Sequence, residues 1–530
     1  MPIPTDDTAA SLPVRQQSSS PSSDAGARQR PAVHSRRLLE AVHRDDADAL
    51  DAALRDHFFA ALVEDPRATL GYLSRIPSRW APDHPAWVVM KRIAARAVES
   101  GTLLSPEVPA PVRRIARTTG SGSSWTRIVV RLSALRSHLL LGRTRLAANE
   151  AEAVVHLVGN ARATSSLTDL LPLALLAAGL AFVHAARMEQ AVAALEDALR
   201  WARVTTPTHP AESAIQQALG VAFSVIGHHR EAERRARDGR GIGAPAGGLL
   251  DSSVTRMSSV RSAFAAVAAV RDDDAARLVD SIGPNVEASV WWWSVPHLRA
   301  RLALRGPEAG IRRALRSLDL DLLTHPTMST PDTLAGLLLR VDQADLRLVL
   351  GDPAGARSSL ASVDERHPLV VPALARIALI ERRPHDALRR LEDHGPAGSA
   401  HGLTQPSSVA VLRAIALDQL GVRSAGESVA EVVDAITTHG DTEALCTAFG
   451  PVRSTLEERA LLPSPLPACP YPAPPTGLTR REHEILEALR LYATNAEIAA
   501  ALHLSRFTVK NHLHNIYRKL GVSDRREAVG

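Results

Sequence analysis

From about residue 37 to 461 apolar residues recur at three- and four-residue steps, carried mostly by Ala and Leu and broken by Gly or Pro. Alternating β-branched runs are nearly absent. The pattern predicts helices throughout and an all-α fold. The longest apolar stretch, Leu170 to Val183, contains Pro172 and spans 14 residues, whereas a membrane span needs roughly 20. A buried helix is therefore expected there, and no membrane partner. Residues 1–36 are rich in Ser, Pro, Gln and Arg without periodic apolar positions. Nothing in them offsets the entropy of ordering, so a disordered tail is expected. Residues 462–477 read LPSPLPACPYPAPPTG, with seven prolines. Fixed φ angles and missing donors rule out helix and central strand, which predicts a semi-rigid linker. Helical periodicity resumes over 478–530.

Weak self-similarity runs through 37–461. Gly179, Phe182, Ala191, Leu195 and Ala198 recur in part 41 residues later as Gly220, Phe223 and Ala232, with a Gly-to-Ala offset of twelve both times. Small residues at that offset let the two helices of a hairpin approach closely, with Phe182 and Leu195 filling the layer between them. A turn Gly followed five residues later by Ala appears at Gly227/Ala232 and Gly351/Ala356, the latter continuing to Leu360 and Pro368, and Ala387/Leu391 copies part of it. The pattern resembles a degenerate tetratricopeptide repeat. That likeness implies stacked hairpins with a concave face for a peptide, protein or small ligand. An Ala- and Leu-rich helical chain also yields such matches by chance, and either reading gives packed helical hairpins.

In the C-terminal segment Thr479 precedes Glu482 by three, the spacing of a capping box. Ile485, Leu486 and Leu489 then share one face, Leu491 to Asn495 break the helix, and Ile498, Ala499 and Leu502 form a second short amphipathic helix. After His503 and Leu504, Ser505 is placed to cap a third helix whose Val509, Leu513, Ile516 and Leu520 make one apolar stripe, ending at Gly521. Two short helices joined by a tight turn let the second enter a major groove roughly 12 Å wide. The outward face of that helix carries Arg506, Phe507, Lys510, Asn511, His514 and Arg518. These offer cations to phosphates and an amide and imidazole to base edges. No Asp or Glu occurs from Ser505 to Ser523. A basic helix face is also what plain solvation produces, so the face alone leaves both readings open.

The ordered set LT-x-RE-x-x-[IVL]-L, N-x-EIA and S-x-x-TVK-x-H-x-x-NI-x-x-KLGV resembles the LuxR-type DNA-binding domain. The likeness covers about a tenth of the chain. It implies that Glu482 ties the helices together, that Ser505 and Thr508 meet phosphates, and that Lys510, Asn511 and His514 lie toward bases. Arg518 and Lys519 would add backbone contacts. It further implies a homodimer on duplex DNA, with RNA polymerase as an additional candidate partner. Three departures qualify the transfer. Tyr492 stands where the family usually has Gly, His514 occupies a variable position so no relative's operator can be copied, and Asp524 to Gly530 leave a short final helix where the family's dimer contact commonly lies.

Composition adds little that is specific. Apolar residues make up 45%, charged residues 22% and aromatics 3%, with a net charge of +5, which permits a polyanion without identifying one. Cys446 and Cys469 cannot supply a disulfide framework or a four-thiolate zinc site, and no secretory signal opens the chain, so a cytoplasmic bacterial regulator is expected. No G-x-x-x-x-G-K-[ST] is present, and Gly239 to Gly243 follows a charged helix and reads as a loop between repeats. Asp272, Asp273 and Asp274 read as a solvated turn. Trp291, Trp292 and Trp293 read as partial core. Gly120 to Ser124 lacks the strand a nucleophile turn needs, and the His483/Glu484 and His512/His514 pairs cannot complete a metal site. No catalytic, cofactor or metal residue is assigned. The expected function is a DNA-binding transcriptional regulator controlled by a protein or small-molecule effector on the helical body. The competing readings are a helical interaction scaffold in which DNA binding is secondary, and an enzyme within residues 40–460.

Overall fold

A computed structural model describes residues 33–80, 83–100, 124–161, 170–205, 209, 211–240, 250–282, 290–392, 405–459, 462, 465–472, 480–492, 494–520, 522, 524–525 and 528. Among them every regular element is a helix. The chain opens with α1 (Val33–His43), α2 (Ala47–Glu64), α3 (Pro66–Ser74) and α4 (Pro85–Ser100). Hairpins follow: α5 (Ser124–Leu140) with α6 (Thr144–Ala161), α7 (Leu170–His184) with α8 (Met188–Thr205), α9 (Glu212–Val225) with α10 (His229–Arg240), and α11 (Asp251–Ala268) with α12 (Asp272–Ser281). Then come α13 (Ser294–Ala303) with α14 (Glu308–Thr324), α15 (Leu334–Val349) with α16 (Pro353–Leu360), α17 (Val371–Ile380) with α18 (Pro384–Glu392), and α19 (Pro406–Leu420) with α20 (Ala425–His439). The body closes with α21 (Gly450–Glu458).

One turn recurs between these helix pairs. Gly142, Ala186, Gly227, Val270, Gly351, Arg382 and Gly421 all have positive φ. Each donates its N–H to the carbonyl three residues back, and the next residue donates five back, as in Arg187 to Phe182 at 2.9 Å and Arg271 to Ala266 at 2.9 Å. This is the Schellman arrangement, which satisfies the orphan carbonyls of the first helix and reverses the chain. Five residues on, Ala147, Ala191, Ala232, Ala275, Ala356 and Ala387 are buried, because a side chain larger than methyl there would hold the paired helices apart. At Gly179 an added Cβ would sit 2.5 Å from Leu195 Cγ, and at Gly220 it would sit 2.8 Å from Arg261 Cδ. The same added Cβ atoms would lie 3.4 Å from Ala191 O and 3.3 Å from Ala232 O, so each glycine also comes close to the backbone of the alanine twelve residues on.

Helix α7 is buried along nearly its whole length, and none of the described helices is long and apolar enough to cross a membrane. The three consecutive tryptophans are all buried, because Trp291 to Trp293 lie in the turn that starts α13 rather than winding around a helix. Asp272 to Asp274 form the first turn of α12 instead of a free turn, where carboxylates complement the N-terminal dipole. Asp272 is also clamped by Arg305.

Two of the expected boundaries shift. Residues 1–32 lie outside the described set, but α1 begins at Val33 inside the expected tail, with Ser35 buried and its N–H donating to Glu64 Oε2 at 3.3 Å. The proline-rich segment is docked rather than free as far as it is described. Leu462 and Leu466 join the core of α17–α21, Arg453 donates to the Pro467 carbonyl at 2.8 Å, and Tyr471 is buried under the Arg376 guanidinium, 5.0 Å from its ring centre. A seam of buried charge runs beside it. Arg301 bridges Asp345 at 2.9 Å and Glu443 at 3.0 Å, while Arg376 also meets Asp345. Burial opposes these guanidinium charges and the carboxylates outweigh it, raising the pKa of both arginines.

Candidate nucleic-acid interface

The C-terminal unit consists of α22 (Arg480–Leu491), α23 (Asn495–Ala501) and α24 (Arg506–Leu520). It has its own core of Ile485, Leu486, Ala488, Leu489, Ile498, Ala499, Val509, Leu513 and Ile516. Eight of these, all but Ala488, are positions that the three apolar stripes of the sequence mark, while the expected Leu502 is only half-buried and packs against the edge of this core. Thr479 and the side chain of Leu520 lie outside the described residues, so the expected capping box at Thr479 does too. Glu482 is buried at the start of α22.

A second capping box sits at Thr494, where Thr494 N–H donates to Glu497 Oε2 at 2.9 Å and Glu497 N–H to Thr494 Oγ1 at 3.3 Å. It fixes the entry to α23. The stretch Leu491 to Asn495 breaks the periodicity, yet the T-x-x-E of this box is legible in the sequence at its end. Arg481 donates to the Leu502 carbonyl at 2.7 Å, tying the start of α22 to the end of α23, and also pairs with Glu484. Arg525 donates to the Leu489 carbonyl at 2.7 Å, pinning the segment after α24 against the end of α22. Tyr492 closes α22 through its N–H to Ala488 O at 2.9 Å. Burial raises the Tyr517 hydroxyl above its ordinary pKa, opposed by nearby Arg525.

The turn from α23 into α24 repeats the hairpin turn of the body. His503 has φ 55, its N–H reaches Ala500 O at 3.4 Å, and Leu504 N–H reaches Ala499 O at 2.8 Å. Ser505 then caps α24, its Oγ accepting from Thr508 N–H at 3.0 Å and lying 2.7 Å from Thr508 Oγ1. Val509, Leu513 and Ile516 face the core. Arg506, Phe507, Lys510, Asn511 and His514 are exposed, and at 100° per residue they fall within about 140° of arc. Phe507 is 72% exposed, which is unusual for so large an apolar ring. Thr508 is half-buried at the edge of this face. The side chains of Arg518 and Lys519, on the last turn, lie outside the described residues. No described carboxylate lies on α24.

Three helices around one small core, the second and third joined by a tight turn and the third presenting a bare cationic face, define a helix-turn-helix unit. Residues 476–530 match the model of the bacterial regulatory proteins of the luxR family. Over 52 residues the chain is 48% identical to the spore germination protein GerE of Bacillus subtilis, covering 10% of this chain and 70% of that protein. The chain belongs to this family through its C-terminal domain. It is also 52% identical over 52 residues to the probable csgAB operon transcriptional regulatory protein of Salmonella typhimurium, and 55% identical over 56 residues to the probable transcriptional regulatory protein SgaR of Hyphomicrobium methylovorum. These matches span 24% and 26% of those two proteins and about a tenth of this chain. No solved structure matches.

Proposed function

We propose that this protein is a transcriptional regulator that binds duplex DNA by inserting α24 into the major groove. The observation that carries the reading is the face of Arg506, Phe507, Lys510, Asn511 and His514, exposed together opposite the buried stripe and free of carboxylate. At 15 residues and 1.5 Å per residue α24 is about 22 Å long, ample to lie in a groove roughly 12 Å wide. The N-terminal turn approaches the backbone, where Ser505, Thr508 and Arg506 meet phosphates. Lys510, Asn511 and His514 are turned toward base edges and Phe507 toward a thymine methyl or sugar. Arg518 and Lys519 add phosphate contacts at the far end. On this reading the domain works as a homodimer on DNA, and the helical body, a tetratricopeptide-like array over residues 37–461, sets promoter occupancy in response to an effector. The matched relatives named as transcriptional regulators support the assignment.

Duplex binding by the full chain, measured at several salt concentrations, tests it. Each phosphate contact contributes about −0.9 to the log–log slope, and Lys510→Ala is expected to weaken binding by roughly tenfold. Absence of binding to pooled genomic fragments at low salt overturns the proposal.

A further inference from the structure

The seam of buried charge in the body encloses a cavity of about 70 Å³, between the start of α10, helices α13, α15 and α17, and the turn Thr442–Thr447. One water needs roughly 10–15 Å³ of such space, so the cavity takes a group of about five heavy atoms. Four carboxylates line it, those of Asp342, Asp345, Asp441 and Glu443, against two guanidinium groups, those of Arg301 and Arg376. Both arginines meet Asp345, and Arg301 and Arg305 meet Glu443. Among the described residues no arginine or lysine makes an ion pair with Asp342 or Asp441. Asp342 is fully buried, its Oδ2 lies 2.7 Å from His297 Nδ1, and its Oδ1 meets no hydrogen-bond partner. His229, which also lines the cavity, has a buried Nδ1 without a partner. Burial, then the charge of Glu443, push the Asp441 carboxyl up to about 7, with Arg301 opposing, and burial raises Asp342 as well.

We infer that this cavity binds a small aliphatic ammonium ion, its head on Asp342 and Asp441 and its short stem along the apolar wall. An ammonium group has three N–H donors and no acceptor. Asp342 Oδ1 and the Asp441 carboxylate supply charged acceptors, and a charge-assisted bond is the strong kind. Burial lowers the His229 pKa to about 4, so near neutral pH its imidazole carries no charge to repel the head. Val225, Phe264, Leu298 and Val341 on the cavity wall cover the stem. A neutral ligand leaves the buried carboxylates without a counter-charge, and an anion adds to their repulsion. Among the described residues no three acidic, imidazole or thiol groups are placed to hold a metal ion, which favours an organic cation. Arg376 also covers the Tyr471 ring at 5.0 Å, so the site lies one side chain away from the segment that leads to the C-terminal domain. Its meaning as an effector site rests on the DNA-binding reading above, whereas amine binding does not.

Calorimetry on the full chain, without duplex and at pH 8 where Asp441 is ionised, uses butylammonium, butanol and butyrate as probes. Butylammonium is expected to bind at least tenfold more tightly than butanol, and butyrate to bind weakest. Asp342→Asn keeps the side-chain volume and should cost butylammonium at least tenfold while leaving butanol unchanged, with Asp441→Asn as a second variant should the first fail to fold. Ser408→Phe, which narrows the cavity from a half-buried lining position, should weaken butylammonium and butanol alike. Equal affinity for the three probes, a preference for butyrate, binding of none, or correctly folded Asn variants that hold butylammonium as well as wild type overturns the inference. Duplex binding read separately keeps the two proposals apart, since amine binding without duplex binding leaves this site standing and removes only its role in transcription.

Discussion

Helices α9 and α24 are nearly equal in length, 14 and 15 residues, yet they meet their surroundings in opposite ways. Every residue of α9 is buried, Glu212, Ser213, Gln216 and Gln217 included. Its neighbours close over it on both sides, and two of its polar side chains are met inside the protein, Glu212 accepting from Arg203 at 2.8 Å and Ser224 donating back to Gly220 O at 2.9 Å, whereas the buried Gln216 amide meets no hydrogen-bond partner among the described residues. On α24 the described buried side chains are Val509, Leu513 and Ile516, and its opposite face is cationic and uncovered. A helix buried on all sides has spent its surface on the fold. A helix buried along one stripe keeps the rest for a partner, and its charge says which kind.

The largest effects come from breaking the two cores separately. Ile215 of α9 and Ile516 of α24 are both fully buried, in different clusters, so truncating either to Ala should cost about 3 kcal/mol. Ile516→Ala should nearly abolish duplex binding and leave the main calorimetric transition in place, whereas Ile215→Ala should lower that transition and spare duplex binding. One transition moving together in both variants would show that the contrast between the regions is not energetic.

Next in size is an effect confined to the body. His184 ends α7 against Trp291, 4.9 Å between ring centres, and burial lowers its pKa to about 4 from 6.5. The unfolded chain therefore takes up this proton first as pH falls. The penalty is absent above pH 6.5 and grows as pH drops toward 4, reaching about 3 kcal/mol at one proton per 1.4 kcal/mol per pH unit. His229 acts in the same direction and Asp441, raised by burial to about 7, in the opposite one. The comparison of wild type with His184→Phe isolates the single residue. Urea midpoints between pH 7 and pH 4.5 should fall less steeply in the variant, and parallel curves would refute the assignment.

The C-terminal domain provides a smaller test. Ser505→Ala removes the cap on α24 that Thr508 N–H otherwise fills, at a cost of about 1 kcal/mol to that domain. Circular dichroism of the full chain should show the loss only in the minor transition, and duplex affinity should fall more than the helix content does, because the same hydroxyl would face a phosphate.

How far the fold was legible in the chain follows from its turns. Gly227 and Gly351 stood out as turn glycines because glycine adopts positive φ without strain. Ala186, Val270, Arg382 and His503 make the same turn and carry no such signal, since here the packing of the two flanking helices imposes a conformation that their side chains resist. The apolar stripes of α22 to α24 were legible because a three-helix core of nine residues leaves one solution to each period. The docking of Tyr471 was not. Its neighbouring prolines read as a spacer, and what holds it is a distant arginine, Arg376, brought near by the stacking of the body.

The smallest predicted effect sharpens the comparison at the turn both regions share. Val270 in the body and His503 in the C-terminal domain occupy the left-handed position of the same motif, with φ 56 and 55. A side chain there costs about 1–2 kcal/mol, and glycine's extra freedom in the unfolded chain returns about 0.5–1 of it. Val270→Gly should therefore stabilise the body by about 0.5–1 kcal/mol, the β-branched residue being the more strained of the two. His503→Gly should gain less in stability, yet it bears on the interface as well, since the turn sets the angle at which α24 leaves α23. If strain at His503 only reflects chain reversal, the variant binds duplex as well as wild type. If the imidazole stiffens the presentation of Ser505 and Arg506, affinity falls by a few-fold even as the Tm of the minor transition rises, and the two turns, alike in backbone, differ in what they serve.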